Sequence, residues 1–169
     1  MTQKDFFDAL DAPLANQRWS WGALRRDGVV FLRVWQNEVE KQDGAYFVRV
    51  TYKRKRKDQR DSAGYRERLQ HVEHIRGGAA AFLIMCVAED VTAVPRKVKQ
   101  FDHETVRRGG GLRKIAGEWW IELGERLKLG EVPKCRDQIG GQVASKPRSE
   151  TLEPTPKAFA SKTAPRSDA

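Results

Sequence analysis

The spacing of apolar residues predicts a short helix at the beginning of the chain. Thr2 and Asp5 are spaced as in a capping box, which satisfies backbone N–H groups at a helix start. Phe6 and Leu10 fall on one side of the following turns, and Pro13 ends the segment. We therefore expect a helix with one apolar face before residue 13.

Two Asp-Gly pairs separate the β-prone runs that follow. Asp27-Gly28 lies between residues 19–24 and 29–35, and Asp43-Gly44 precedes residues 45–52. Asp-Gly between such runs is a strong hairpin signal, because both central residues of the turn need a positive φ. The pattern predicts a meander of three consecutive antiparallel strands.

Two arginines interrupt these otherwise apolar strands. Arg33 lies in the run 29–35 and Arg49 in the run 45–52. An antiparallel sheet commonly has one face in water. We expect the face that carries these arginines to be exposed.

The second half of the chain alternates between helix and strand patterns. Residues 65–76 have apolar positions at helical spacing, and Gly77-Gly78 supplies the end of that helix. Residues 79–88 form an apolar run typical of a strand buried on both faces. The rest predicts a strand at 96–101, a glycine loop at 109–111 and a hairpin around Ala116-Gly117.

Together these elements predict an α+β domain over residues 1–132. We expect its strands to curl into a small antiparallel or mixed β-barrel with two flanking helices. From residue 133 the chain is basic and rich in Pro, Ser and Ala, with few large apolar residues. Because burial there cannot offset the ordering entropy, we expect residues 133–169 to form a disordered tail.

The composition is strongly basic, with a formal net charge of +9. Such a balance favours polyanionic partners, nucleic acid or acidic lipid surfaces. Residues 53–60 contain six basic residues and one acidic residue, which gives 6 − 1 = +5. This segment is typical of a phosphate-binding loop, although a solvated loop also has this composition. The phosphate-binding candidates are Arg49, Lys53, Arg54, Lys55, Arg56, Lys57 and Arg60.

The chain also has five tryptophans. Most tryptophans belong to a core, but Trp19 and Trp21 are two apart on a predicted strand and share a face. Trp119 and Trp120 are adjacent, so one of them should lie off the main core. An aromatic side chain at the rim of a barrel can stack a nucleobase. The base-stacking candidates are Trp19, Trp21, Trp35 and Trp119.

Enzymatic signals are weaker. His71, Glu73 and His74 share a helix, but a metal site usually needs a third protein ligand, and hydrogen bonds from Glu73 and His74 to neighbouring loops are the favoured role. We find no nucleophile elbow, phosphate-binding glycine loop or zinc-finger spacing. We therefore expect no catalytic residue, metal or cofactor.

No apolar run is long enough to span a bilayer, and the polar N-terminus lacks the order of a secretory signal. These features predict a cytoplasmic protein without a membrane partner. Cys86 lies in an apolar run and is expected to be buried. Cys135 lies in a polar stretch, and nothing favours a disulfide between the two.

Three segments carry a resemblance to a known superfamily. They are residues 19–23, with the sequence WSWGA, the glycine-entered strand 77–86, and the late hairpin that ends in Trp119-Trp120. Over residues 16–125 the chain resembles the PUA-like superfamily, which includes the ASCH, EVE and YTH domains. The resemblance implies a small curved barrel that reads RNA or DNA, often with a modified base in an aromatic cage. Trp19 and Trp21 would form that cage.

Three functions stay open at this point. The favoured one is a nucleic-acid-binding module that holds a flipped or modified base in an aromatic pocket beside a basic loop. The second is an accessory protein of a phage, plasmid or restriction system that binds a protein partner through its tail. The third is a metal-dependent nuclease.

Overall fold

The residues that the structure describes contain two α-helices and eight strands. The structure is a computed structural model and describes residues 1–53 and 61–135, all within one compact unit. The predictions for residues 54–60 and for the tail from residue 136 onward lie outside the described residues. In chain order the elements are α1 Gln3–Ala9, β1 Gly22–Leu24, β2 Val30–Trp35, β3 Val39–Gln42, β4 Ala45–Arg49, α2 Ala63–Arg76, β5 Ala81–Ala88, β6 Val98–Phe101, β7 Thr105–Ile115 and β8 Glu118–Lys128.

The helix and turn predictions made from local signals are confirmed. At α1, the Thr2 hydroxyl accepts the N–H of Asp5 at 3.2 Å, and the Asp5 carboxylate accepts the N–H of Thr2 at 3.1 Å. The predicted turns join β1 to β2, β3 to β4 and β7 to β8. Asp43 and Gly44 both have the expected positive φ, 51° and 86°, whereas at Asp27-Gly28 only Gly28 does, at 86°, so the expected geometry is wrong there.

All eight strands belong to one mixed sheet. Its order is β1-β2-β5-β7-β8-β4-β3. β6 lies off this path and pairs with β5. β2 pairs with β5 in parallel, whereas the other strand pairs are antiparallel. The α+β class is confirmed. The predicted meander is wrong, because a 3₁₀ turn at Gln36–Glu38 redirects the chain after β2 and β3 pairs with β4 alone.

The sheet does not close into the expected barrel. Its path ends at β1 and β3, so both are edge strands. β1 has only three residues, and β3 exposes Glu40 and Lys41. Short length and surface charge both discourage pairing at a sheet edge.

The core lies on both faces of β2 and β5. Phe31 of β2 and Phe82 of β5 are buried with Phe6 and Phe7 of α1 on one face. On the other face, Leu32 and Leu83 are buried with apolar residues of β4 and β8 and with Val72 of α2. The strand predicted at 79–88 is present as β5, and Cys86 is fully buried, but Val87 is exposed, so burial on both faces does not hold along the whole strand.

Arg33 contradicts the predicted exposed face, because all six residues of β2 are buried. Only 7 % of Arg33 is exposed. Its guanidinium donates hydrogen bonds to the Gln3 side chain and the Ser20 carbonyl. The sequence pattern could not show that α1 and the segment before β1 cover this face.

The predicted glycine loop is also wrong, since residues 109–111 lie within β7. A Cβ at Gly109 would stand 2.6 Å from the Ile121 side chain, and one at Gly110 would stand 2.9 Å from the Glu122 carboxylate. The pairing of β7 with β8 shifts register at this point. The glycines therefore allow β8 side chains to lie over an irregular strand.

Candidate functional site

One pocket of about 700 Å³ combines aromatic and cationic side chains. It lies between the segment before β1, the end of β4, the beginning of α2 and the loop that precedes β6. We call it the aromatic pocket. Its aromatic residues are Trp19, Trp21, Trp35, Tyr52 and Tyr65, and its arginines are Arg18, Arg49, Arg68 and Arg96. None of the described residues that line it is an aspartate or a glutamate.

The structure thus brings together three of the four predicted stacking residues and one predicted phosphate-binding residue. Trp19, Trp21 and Trp35 share the aromatic pocket with Arg49. Trp19 is 38 % exposed and stands at the rim, whereas Trp35 is only 4 % exposed and belongs to the floor. An aromatic wall with one open and one buried end can accept a planar ligand.

Glu67 of α2 positions the tryptophan segment. One carboxylate oxygen of Glu67 accepts the Ser20 hydroxyl at 2.7 Å, and the other accepts the Trp21 N–H at 3.3 Å. Ser20 is fully buried. These bonds fix the backbone between the two indoles, so the directions of Trp19 and Trp21 depend on α2.

Gly64 allows that close approach. A Cβ at Gly64 would lie 2.7 Å from the Trp19 carbonyl oxygen and 3.6 Å from the Trp21 ring. The first distance is shorter than any ordinary contact, so the first turn of α2 must lack a side chain there. The beginning of α2 consequently forms a wall of the aromatic pocket.

Trp21 contacts two flat groups. Its ring centre lies 4.9 Å from that of Trp35, with the planes inclined by 58°. The guanidinium of Arg33 lies 4.7 Å from the same Trp21 ring. Such cation–π and ring contacts restrict the indole and favour a preformed wall.

Two of the pocket arginines share one carboxylate. Glu38 forms ion pairs with both, and its carboxylate oxygens lie 2.8 Å from Arg49 Nη2 and 2.7 Å from Arg96 Nη1. Arg49 also stacks over Tyr52 at 4.6 Å, and Arg96 lies 5.8 Å from the Trp35 ring. Because two cations face one anion, a positive charge is left on this side of the pocket.

Arg68 is the most buried cation of the pocket, with 5 % exposed. Its Nη2 donates to the carbonyls of Trp21 and Arg33, the latter at 3.0 Å. Its Nη1 has no hydrogen-bond partner among the described residues. Burial lowers the pKa of Arg68 to about 10, so the group is still charged at neutral pH. Burial also raises the pKa of the Tyr52 hydroxyl, which donates to the Arg49 carbonyl at 2.9 Å.

Two predicted site residues lie outside the aromatic pocket. Trp119 is half-buried against the core, with Arg76 at 5.3 Å and Lys114 at 5.6 Å from its ring. Lys53 follows the pocket residue Tyr52, and its N–H donates to Glu118 at 2.7 Å. The remaining phosphate-binding candidates, Arg54, Lys55, Arg56, Lys57 and Arg60, lie outside the described residues.

The histidine helix has no metal-binding geometry within residues 1–53 and 61–135, where no group of three His, Cys, Asp or Glu could hold an ion. His71 is buried, and burial together with the charge of Arg68 lowers its pKa to about 3. Glu73 pairs with Arg76 of the same helix at 2.8 Å, rather than with a neighbouring loop.

Sequence reasoning missed five of the aromatic and cationic residues of the aromatic pocket: Arg18, Tyr52, Tyr65, Arg68 and Arg96. One signal was available, because Tyr65 and Arg68 are three apart on a predicted helix and therefore share a face. The others come together only through contacts between distant segments.

A comparison of the chain with family models, with curated proteins and with solved structures finds no match. Over the described part of the chain, no helix combines the length and apolar character that crossing a membrane requires.

Proposed function

We propose that this chain is a nucleic-acid-binding module that holds an unstacked base in the aromatic pocket. The observation that carries the proposal is the meeting of three indoles and four arginines around one cavity of about 700 Å³, whose described lining residues include no aspartate or glutamate. Indoles stack any base, and arginines attract its phosphates. Base stacking on an aromatic side chain contributes about 1–3 kcal/mol.

The arrangement of the indoles supports stacking at the rim. Trp19 is the most exposed of the three, at 38 %, so its ring can change partners without opening the core. Trp21 and Trp35 are already packed against each other and against arginines. A base that enters would meet Trp19 first and the two packed indoles beyond it.

The charge around the rim supports a strand of nucleic acid as the source of that base. Arg18 lines the aromatic pocket and makes no ion pair with any described residue. Residues 53–60, with their charge of +5, are joined to the fold between Tyr52 and Ser62, and both of these residues line the pocket. The basic segment is therefore attached at the site where phosphates would pass.

The PUA-like resemblance belongs to the same proposal. What it contributes is the cage role of Trp19 and Trp21, which line one pocket. On this proposal the chain selects a base that has left its stack, as modules that read flipped bases do.

A binding series with an oligothymidylate tests the proposal. We expect Trp19→Ala to lower affinity roughly tenfold, in keeping with the loss of one stacking contact, with little change in stability. Tyr46→Ala is the matched control, because Tyr46 is 54 % exposed and lies outside the aromatic pocket. Equal affinities of the wild type and both variants, or no binding at low salt, would contradict the proposal.

A further inference from the structure

Helix α2 begins in the wall of the aromatic pocket. Ser62 caps it, with φ −65° and ψ 155°, and its hydroxyl accepts the Tyr65 N–H at 3.2 Å. The Arg66 N–H donates to the Ser62 carbonyl at 3.0 Å. The N–H groups of Ala63 and Gly64 have no partner among the described residues. Free N–H groups and the helix dipole together favour an anion at such an end.

A second feature of the same pocket also calls for an acceptor. Arg68 lies one turn further along α2, with 5 % exposed, and its Nη1 is buried without a hydrogen-bond partner among the described residues. Leaving such a donor unpaired is costly. A ligand oxygen could accept a hydrogen bond from Nη1. Nη2 already fixes the side chain by donating to the carbonyls of Trp21 and Arg33.

The carboxylate adjacent to Arg68 in sequence does not pair with that arginine. Glu67 directs both oxygens to Ser20 and Trp21, on the side of α2 that holds the tryptophan segment. Since Gly64 has no side chain, nothing on that residue screens its N–H. The beginning of α2 thus presents free N–H groups beside a row of indoles, with Asp61 as the acidic residue next to its cap.

We infer that Ala63, Gly64 and Arg68 form a phosphate subsite for the phosphodiester that adjoins the stacked base. The inference rests on the proposed function and adds to it the position of one backbone phosphate. The subsite lies beside Trp19 and Trp21, so a base and its own phosphate can occupy the aromatic pocket together.

The substitution Ala63→Pro separates this role from folding. Ala63 is the first residue of α2, where proline is well tolerated because its missing N–H would have no helical partner. Ser62 already has the extended backbone that a residue before proline requires. The variant therefore removes one donor, and Ala63→Ser is the matched control that keeps it.

The probe is the dinucleotide dTpdT, which has a single phosphodiester, and its neutral methylphosphonate analogue. We expect Ala63→Pro to weaken dTpdT binding about tenfold, as measured by tryptophan fluorescence, with Ala63→Ser unchanged. The methylphosphonate should bind the wild type and Ala63→Pro equally. Unchanged melting temperatures confirm that both variants fold.

Two results would overturn the subsite. One is wild-type affinity of Ala63→Pro for dTpdT, and the other is tighter binding of thymidine 5′-monophosphate than of dTpdT, which would indicate a free nucleotide. An oligothymidylate of twelve nucleotides distinguishes failure of the subsite from failure of the proposed function. If it binds the wild type while Ala63→Pro is unaffected, only the subsite is wrong, whereas no binding at all removes both.

Discussion

The carboxylate of Glu67 accepts the hydroxyl of Ser20 at 2.7 Å, across 47 positions of sequence. This bond ties the segment that carries Trp19 and Trp21 to α2, whose first turn also lines the aromatic pocket. The geometry of the site therefore depends on a polar contact between two elements, and not on the sheet alone.

Removing that contact should destabilise the fold. Glu67→Ala leaves the fully buried Ser20 hydroxyl without its acceptor, and we expect a loss of about 1–3 kcal/mol in the free energy of unfolding, measured in urea. Glu73→Ala is the control, because Glu73 pairs with exposed Arg76 on the same helix. A loss no greater for Glu67→Ala than for Glu73→Ala would count against the anchoring role.

We expect Gly64→Ala to destabilise the fold, although helix propensity alone would favour alanine at this position. Alanine stabilises most helices by about 1 kcal/mol relative to glycine, yet a Cβ here would lie 2.7 Å from the Trp19 carbonyl. We expect Gly64→Ala to lower the melting temperature and weaken oligonucleotide binding. Gly130→Ala, where no atom lies within 4 Å of the added Cβ, should change neither property. Stabilisation by Gly64→Ala would show that α2 does not pack against Trp19 in this way.

Glu38 should limit the affinity of the pocket for anions. Glu38→Gln removes the carboxylate that pairs with Arg49 and Arg96. Both guanidinium groups can then pair with the phosphates of a ligand. We expect oligothymidylate to bind a few-fold more tightly, with a steeper dependence on salt concentration. Glu40→Gln makes the same change of charge two residues away, outside the pocket. The two variants should differ, and identical salt series would indicate a general charge effect instead.

Acid should destabilise the fold through His71. Its pKa is about 3 in the folded protein, below the ordinary 6.5 expected when unfolded. The unfolded chain thus takes up a proton first, so this contribution is complete above about pH 6.5 and is lost as the pH falls toward 3. We expect His71→Gln to flatten the stability profile between pH 7 and pH 4.5 in urea unfolding. Parallel profiles of variant and wild type would contradict the assignment.

The elements that the sequence predicts correctly depend on local signals. The Thr2 capping box, the Asp43-Gly44 turn and the Gly77 end of α2 each involve residues within a few positions of one another. Parallel pairing of β2 with β5 joins residues about 50 positions apart, and no local pattern encodes it. For the same reason the burial of Arg33 was not predictable from the alternation of its own strand.

The sequence identified several residues of the candidate site, but it could not show that they meet in one pocket. Trp19, Trp21, Trp35 and Arg49 were identified by residue type and position. Their meeting depends on Glu67 and Gly64, whose roles appear only when α2 packs on the tryptophan segment. Trp119 has the same residue type but packs against the core under Arg76, which shows that type alone does not place an indole in the pocket.

The five indole N–H resonances provide the most direct test, recorded by NMR while oligothymidylate is added to ¹⁵N-labelled protein. If a base enters the aromatic pocket, the signals of Trp19, Trp21 and Trp35 shift together, while those of Trp119 and Trp120 stay in place. Binding that shifts only Trp119 or Trp120, or that leaves all five signals unchanged, would contradict the account.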